Sequence, residues 1–442
     1  MSHDDGVLVR WSRALPPWAW GLAVAQWLPI LVKAVRNSAE PTDFYVFHAA
    51  ASRLLAGESV YGPDYAYFYP PLFAYLMTPY AWVPVRAAAI WWAFLQVPCF
   101  YYAASRFLPE ASRVGRARPW ILAFSPLLVF RFIDSDVVNG NCNVVLLALL
   151  AGMVHLLRHE RAVWAGGVLA VVGAIKLSPL YLVPTLAIAG RWRAAVAATL
   201  IFPVVFAVPF WLQSQEIERS GNHLQEVLRI VLTVAERDDD ESRAAHLPPL
   251  PPTPEELDGY VPGQSLRPIL HRWLRATDAT AHDKRTVRLN VVDLAPQTVE
   301  WIYRGGAFAL ALGVLFLMRG TSLRWAIATG LTALLLISPY SRKAHFVFLL
   351  PALFLLLELG WTAWRHPAKV ALLVSWSLGQ LSARAFLGKT WSKLAVGAGA
   401  PFFSAVVVLV GLCWIRRAER IEPESARDGR DGTDGRSRAP AR

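Results

Sequence analysis

Cysteine is scarce in this 442-residue chain: Cys99, Cys142 and Cys413 lie singly inside apolar stretches, without paired or metal-ligand spacing. That excludes a disulfide framework and a zinc site, and the thiols read as small core residues. Charge is scarce as well, at 17% Asp, Glu, Lys and Arg against roughly 25% in an average soluble domain. Acidic residues are the rarer sign, 32 against 44 basic, leaving a net charge of +12. In a soluble protein that surplus would raise the question of nucleic acid, but no basic helix with interleaved aromatics occurs and no nucleic-acid partner is expected. Neither a glycine-rich phosphate loop nor a Walker sequence is present, so ATP is not an expected fuel.

What the chain has in abundance is apolar length: 55% of residues are hydrophobic and 12% aromatic, with 19 Trp and 31 Pro. Trp suits membrane interfaces, and Pro is tolerated where neighbouring helices re-satisfy the backbone. A span needs about 20 mostly apolar residues. Candidates fall at roughly 15–34, 86–105, 119–133, 141–157, 163–175, 178–190, 194–212, 301–318, 325–338, 346–362, 370–386 and 398–415. The expected fold class is an all-α integral membrane bundle of about twelve helices. Lys176, Ser178 and Pro179 interrupt 163–190, which is either a tight hairpin or one kinked helix. Arg10 and Arg13 precede the first run, which is long, Trp-rich and without a small-residue cleavage site, so it reads as an uncleaved span.

Orientation follows from basic residues alternating between loops. Arg10 and Arg13, then Arg106, Arg113, Arg116 and Arg118, then Arg158 and Arg161, Arg191 and Arg193, Arg319 and Arg324, Arg365 and Lys369, and finally Arg416, Arg417 and Arg420 occupy one side. Both termini are thereby expected on the cytoplasmic side of a multi-pass membrane protein. The register requires that Tyr67–Pro84, carrying Pro70, Pro71, Pro79 and Pro84, not cross. Two long outer loops follow, 35–85 and 213–300. The second offers an amphipathic stretch His223–Arg237, an acidic cluster Asp238–Glu241, a Pro-rich run Leu247–Pro254, and Leu266, Ile269, Leu270, Trp273 and Leu274 on one side of a helix expected to rest on the bilayer surface. Residues 1–415 form the expected membrane domain, and 416–442 a disordered cytoplasmic tail.

The outer face collects the unusual polar residues. Asp43, about ten residues after the first span, can serve as a general base or merely cap an amphipathic helix over 43–56. Lys176 sits amid apolar residues, a costly placement that marks either a functional group or a hairpin tip. Arg342 and Lys343 stand in a short outer loop where basic residues are disfavoured; they have a functional role there or snorkel to headgroups. Arg131 lies at a helix end in a similar position. Asn139, Asn141 and Asn143 offer hydrogen bonds to a polar ligand, though helix caps use the same residues. Asp134-Ser135-Asp136 has the form of a metal-binding carboxylate pair, but two aspartates in an outer turn need no such role.

The order of short motifs carries a resemblance. Asp43 is followed by Leu54-Leu55-Ala56-Gly57, Val60-Tyr61, Tyr69-Pro70-Pro71-Leu72, Pro79 and Trp91, then Gly140-Asn141-Cys142-Asn143, Lys176-Leu177-Ser178-Pro179, Gly263-Gln264-Ser265-Leu266, and Ser338-Pro339 with His345. Over roughly residues 40 to 350 this order resembles glycosyltransferase family 87. Where that family usually shows Gly-Gln this chain has Gly140-Asn141, and Gly263-Gln264-Ser265 stands for Asn-Gln-Ser, so donor or acceptor choice is open to difference. The resemblance implies a GT-C fold whose outer loops carry amphipathic helices, and a sugar donor linked to polyprenyl phosphate, commonly mannose. It implies a lipid or glycan acceptor, membrane lipids as surroundings, an outward-facing active site and no nucleotide sugar. It adds weight to Asp43 as base, brings His345 to the reaction centre, and adds Tyr69 and Gln264 to the substrate-binding candidates.

One carboxylate suffices for an inverting displacement, in which a hydroxyl deprotonated by Asp43 attacks the anomeric carbon opposite the phosphate. Arg342, Lys343, Lys176 and His345 would stabilise the leaving phosphate. No cofactor is expected, since the lipid-linked sugar is a substrate; whether a divalent metal assists stays open. The rival reading, a multispan transporter or flippase for lipid-linked sugars, predicts polar sites at mid-membrane and paired halves, and no internal repeat is visible.

Overall fold

The computed structural model describes residues 17–40, 42–61, 67–108, 117–216, 263–277, 287–362 and 366–421. Arg10, Arg13, Arg113, Arg116, Arg365, the stretch 223–237, the acidic and Pro-rich runs after it, and the tail beyond Ile421 lie outside them. Among the described residues there is no strand. The helices are α1 (Pro17–Asn37), α2 (Asp43–Leu55), α3 (Pro71–Ala81), α4 (Val85–Phe107), α5 (Arg118–Ala123), α6 (Ser125–Leu128), α7 (Phe130–Val138), α8 (Asn143–Arg158) and α9 (Ala162–Ile175). They continue with α10 (Leu182–Ile188), α11 (Trp192–Glu216), α12 (Leu266–Leu274), α13 (Pro296–Met318), α14 (Leu323–Ile337), α15 (Leu350–Thr362), α16 (His366–Leu381), α17 (Arg384–Gly397) and α18 (Ala400–Ile421). Short 3-10 turns, Ser178–Tyr181 and Lys343–Leu349, lead into α10 and α15.

The surface is apolar where lipid would lie. On α13, Trp301, Phe308 and Phe316 are 70%, 66% and 71% exposed, a cost in water that vanishes in hydrocarbon. Leu200, Val204 and Trp211 of α11 and Leu373 of α16 are likewise exposed. The turn 343–349 and α15 form the centre instead, with Phe346, Val347, Phe348, Leu349, Leu350, Leu353 and Phe354 buried.

Among the described residues five helices are long and apolar enough to cross a bilayer, seven if each of two bent pairs counts as one span. Four further apolar helices, Ala162–Ile175, Ser178–Ile188, Leu323–Ile337 and Ala400–Arg416, are shorter. Length alone therefore does not reach the expected twelve. The expected span 119–133 is divided among α5, α6 and α7, with Pro126 in α6, where a proline lacks the N–H needed for a continuous ladder.

The 163–190 segment is a hairpin. Arg191 pairs with Glu160 at 3.5 Å, so α10 returns to the end where α9 began, with Lys176 at the opposite tip. Tyr67–Pro84 holds only the 11-residue α3, at about 1.5 Å per residue roughly half a bilayer's thickness, packed on α2 with the Phe73 ring 4.8 Å from that of Phe47. The helix expected at the bilayer surface after residue 265 exists as α12, but it is docked into the bundle. Ile269 touches Gly399, Trp273 lies 5.8 Å from Phe403, and the fully buried Arg272 donates two hydrogen bonds of 3.0 Å to the Gly263 carbonyl. Its polar side thus meets protein acceptors rather than water.

The basic loops gather at one pole. Arg158 donates to the Arg106 carbonyl at 2.9 Å, Arg118 to the Ser105 carbonyl at 3.3 Å, and Arg416 to the Arg319 carbonyl at 2.7 Å. Arg324 pairs with the buried Glu358 at the same pole. The loops bearing Asp43, Asn141, Lys176, Gln264 and His345 gather at the other.

Candidate active site

The mouth of the bundle is assembled by a bend. Between α7 and α8 the chain turns by 117° through Asn139–Cys142. Gly140 makes this possible. Its φ is +68°, and a Cβ there would stand 2.5 Å from the Cβ of Phe44, so only glycine lets the turn press against the start of α2. Asn141 then lies beside Asp43 and donates from Nδ2 to its Oδ2 at 2.7 Å, while Trp92 Nε1 holds the Asn141 carbonyl at 3.0 Å. Asp43 Oδ1 is 3.8 Å from Arg342 Nη1, and both side chains keep about a third of their surface open, 34% and 35%. The carboxylate is therefore oriented from one side, faced by a cation on another, and still accessible. Thr42 makes no side-chain cap bond to α2.

Behind Asp43 runs a buried polar chain. Asp136, fully buried, accepts from Asn143 Nδ2 at 2.6 Å and from the Val144 amide at 3.0 Å, which ties the first turn of α8. Asn143 in turn accepts from Lys176 Nζ at 2.9 Å, and Lys176 also meets His345 Nε2. The Lys176 amine stands 5.9 Å over the Tyr69 ring, and burial lowers its pKa to about 8. The Arg342 amide donates to His345 Nδ1 at 2.7 Å. Neutral His345 accordingly carries its hydrogen on Nε2, so its contact with Lys176 is a hydrogen bond only while that amine is neutral and can accept. Arg342 is braced by Tyr340, whose hydroxyl accepts from Nε at 3.1 Å and Nη2 at 2.6 Å.

The fold brings Asp43, Tyr69, Asn143, Lys176, Arg342 and His345 into this mouth. Gln264 joins through its backbone, donating to the Ser341 carbonyl at 2.5 Å, while its side-chain amide donates to the Val396 carbonyl at 2.9 Å. Asn143 is wholly buried between Asp136 and Lys176, so its amide serves them rather than an incoming sugar. Asn139 is exposed and donates to the Ser135 carbonyl at 2.7 Å. Arg131 and Lys343 lie apart, with Asp134. The Asp134–Asp136 pair is split: Asp134 faces Lys33 and Arg131, Asp136 faces Asn143. Sequence reasoning weighed Asp136 only as half of a carboxylate pair and discounted it, and it missed Tyr340 and the Asn141–Asp43 contact.

The model of glycosyltransferase family 87 matches residues 67–339. The chain belongs to glycosyltransferase family 87. The matched segment carries Tyr69, Asn141, Asn143, Lys176 and Gln264, and Asp43, Arg342 and His345 flank it. An α-(1→3)-arabinofuranosyltransferase of Corynebacterium glutamicum is 25% identical over 212 residues, 46% of this chain and 50% of the relative. A polyprenol-phosphate-mannose-dependent α-(1→2)-phosphatidylinositol mannoside mannosyltransferase of Mycobacterium tuberculosis is 26% identical over 201 residues, 39% of this chain and 46% of the relative. The chain thus spans about half the length of the curated relatives it matches.

Proposed function

We propose that this family 87 protein transfers a sugar from a polyprenyl-phosphate-linked donor to a lipid or glycan acceptor, at the outer face of a bacterial inner membrane, through a GT-C-type bundle. The observation that carries this reading is the open Asp43 carboxylate, held by Asn141 and faced by Arg342, in one mouth with Lys176 and His345. Asp43 takes the proton of the acceptor hydroxyl as that oxygen attacks the anomeric carbon. The bond to phosphate breaks, its electron pair leaves with the polyprenyl phosphate, and the configuration inverts. Asp136 is buried behind Asn143 and already carries two hydrogen bonds, so it is in no position to act as the second carboxylate of a retaining route. Arg342 and Lys176, with His345 behind them, would meet the growing phosphate charge, the kind of preorganised stabilisation whose individual donors contribute about 10²–10³ in rate.

Mannose is the first donor sugar to supply, because one relative is named as polyprenol-phosphate-mannose-dependent; the other is named as an arabinofuranosyltransferase, so arabinofuranose on the same proposed carrier is the second. The test is transfer of radiolabel from each donor into membrane glycolipid by purified protein, beside Asp43→Asn. Wild-type transfer with a loss of about 10²–10⁴-fold in the mutant is expected for removal of a general base. Equal transfer by both proteins would remove Asp43 from the chemistry. No transfer by either, across several donors and acceptors, would favour a transporter.

A further inference from the structure

The adjacent residues Arg342 and Lys343 point into different surroundings. Arg342 has an extended backbone and turns to Asp43. Lys343 faces a second cluster at the same pole, built around Asp134. Lys33 Nζ lies 2.8 Å from Asp134 Oδ1, and Arg131 Nη1 lies 2.9 Å from Oδ2, so both carboxylate oxygens are engaged. Arg131 Nε donates to the Ser382 carbonyl at 3.1 Å, which brings the start of α17, and with it Arg384, to the same place. Charge on Lys343 is opposed most by the cations Arg131 and Arg384 and favoured less by Asp134. Among the described residues Lys343, half-buried, has no hydrogen-bond or ion-pair partner.

Lys33, Arg131, Lys343 and Arg384 thus gather around one carboxylate, more cationic side chains than it can neutralise, and Arg131 and Asp134 are largely shielded from water. Like charges so placed repel, and an anion relieves them. The setting says which anion. Helix α17 is bent by 79° from α16, and its Phe386 and Trp391 are exposed beside the exposed Lys389, the composition of a helix at the boundary of lipid and water.

We infer that Lys33, Arg131, Lys343 and Arg384 form a second anion site, separate from the Asp43 mouth, that holds the phosphodiester of an anionic phospholipid. The site needs only the lipid, so it stands independently of the transfer reading. It is tested by native mass spectrometry of the purified full chain with phosphatidylglycerol, phosphatidylcholine or polyprenyl monophosphate added. Wild type is expected to retain one phosphatidylglycerol at least tenfold better than phosphatidylcholine. Lys343→Gln with Arg384→Gln reduces that preference at least fivefold, and Arg384→Gln alone, at an exposed position, reduces it at least twofold. Lys389→Gln and Asp43→Asn leave it unchanged. Equal retention of the two phospholipids, an unchanged preference in both Arg384 variants, or a loss confined to polyprenyl monophosphate would each overturn the site.

Discussion

At the residue scale, Lys176 links the mouth to pH. Its amine, lowered to about 8 by burial, is charged below that value and neutral above it. If the charged amine meets the departing phosphate, transfer falls as pH rises through about 8. Lys176→Met should lose that alkaline limb and retain a pH-flat rate about 10²-fold lower, measured as kcat against pH. An unchanged alkaline limb in the mutant would assign it elsewhere. Lys176 and Arg342 were legible in the sequence as candidates because charged groups are costly in so apolar a chain, and Asp43 and His345 chiefly through the order of the family's motifs. Their order along one polar chain was not. Asn143 looks like a sugar ligand from its type, yet only the fold reveals that Asp136 and Lys176 occupy its amide. Nothing in the dipeptide Arg342-Lys343 tells that one cation turns to Asp43 and the other to Asp134, because that depends on an extended backbone between two packed elements.

At the element scale, the turn between α7 and α8 is the joint on which the mouth depends. Gly140→Ala places a side chain in the left-handed region, at roughly 1–2 kcal/mol, and drives a methyl into Phe44. Asn141 and Asp43 must then part. The expected result is a fall in kcat of about 10- to 100-fold with KM for the donor little changed, as small misplacements of reacting groups produce. An equal rise in KM would argue that the turn shapes donor binding instead. Apolar runs over α1, α4, α11 and α13 were readable as spans from length and composition. Segments shorter than a membrane's thickness were not so readable: α17 sits where only a connection between spans was expected, and α12, expected on the bilayer, is drawn into the bundle by its buried arginine.

At the scale of the whole molecule, the fold has two unlike poles, which the alternation of basic loops had already separated on paper. If the Arg-rich pole is cytoplasmic, a single cysteine in place of Asn139, with the three natural ones changed to serine, is labelled in intact cells by a membrane-impermeant maleimide. A cysteine in place of Glu160 is labelled only after lysis. The reverse pattern would invert the orientation. The two poles also differ in how they are fastened. Arg158 reaches the last turn of α4, and Arg416 the carbonyl that ends α13, so arginines from one helix tie off the frayed end of another. The bundle is a sheaf bound at its foot, and its free play belongs at the top, where substrates enter. Arg158→Ala should accordingly speed amide hydrogen exchange around 106–108 and leave it unchanged around the mouth.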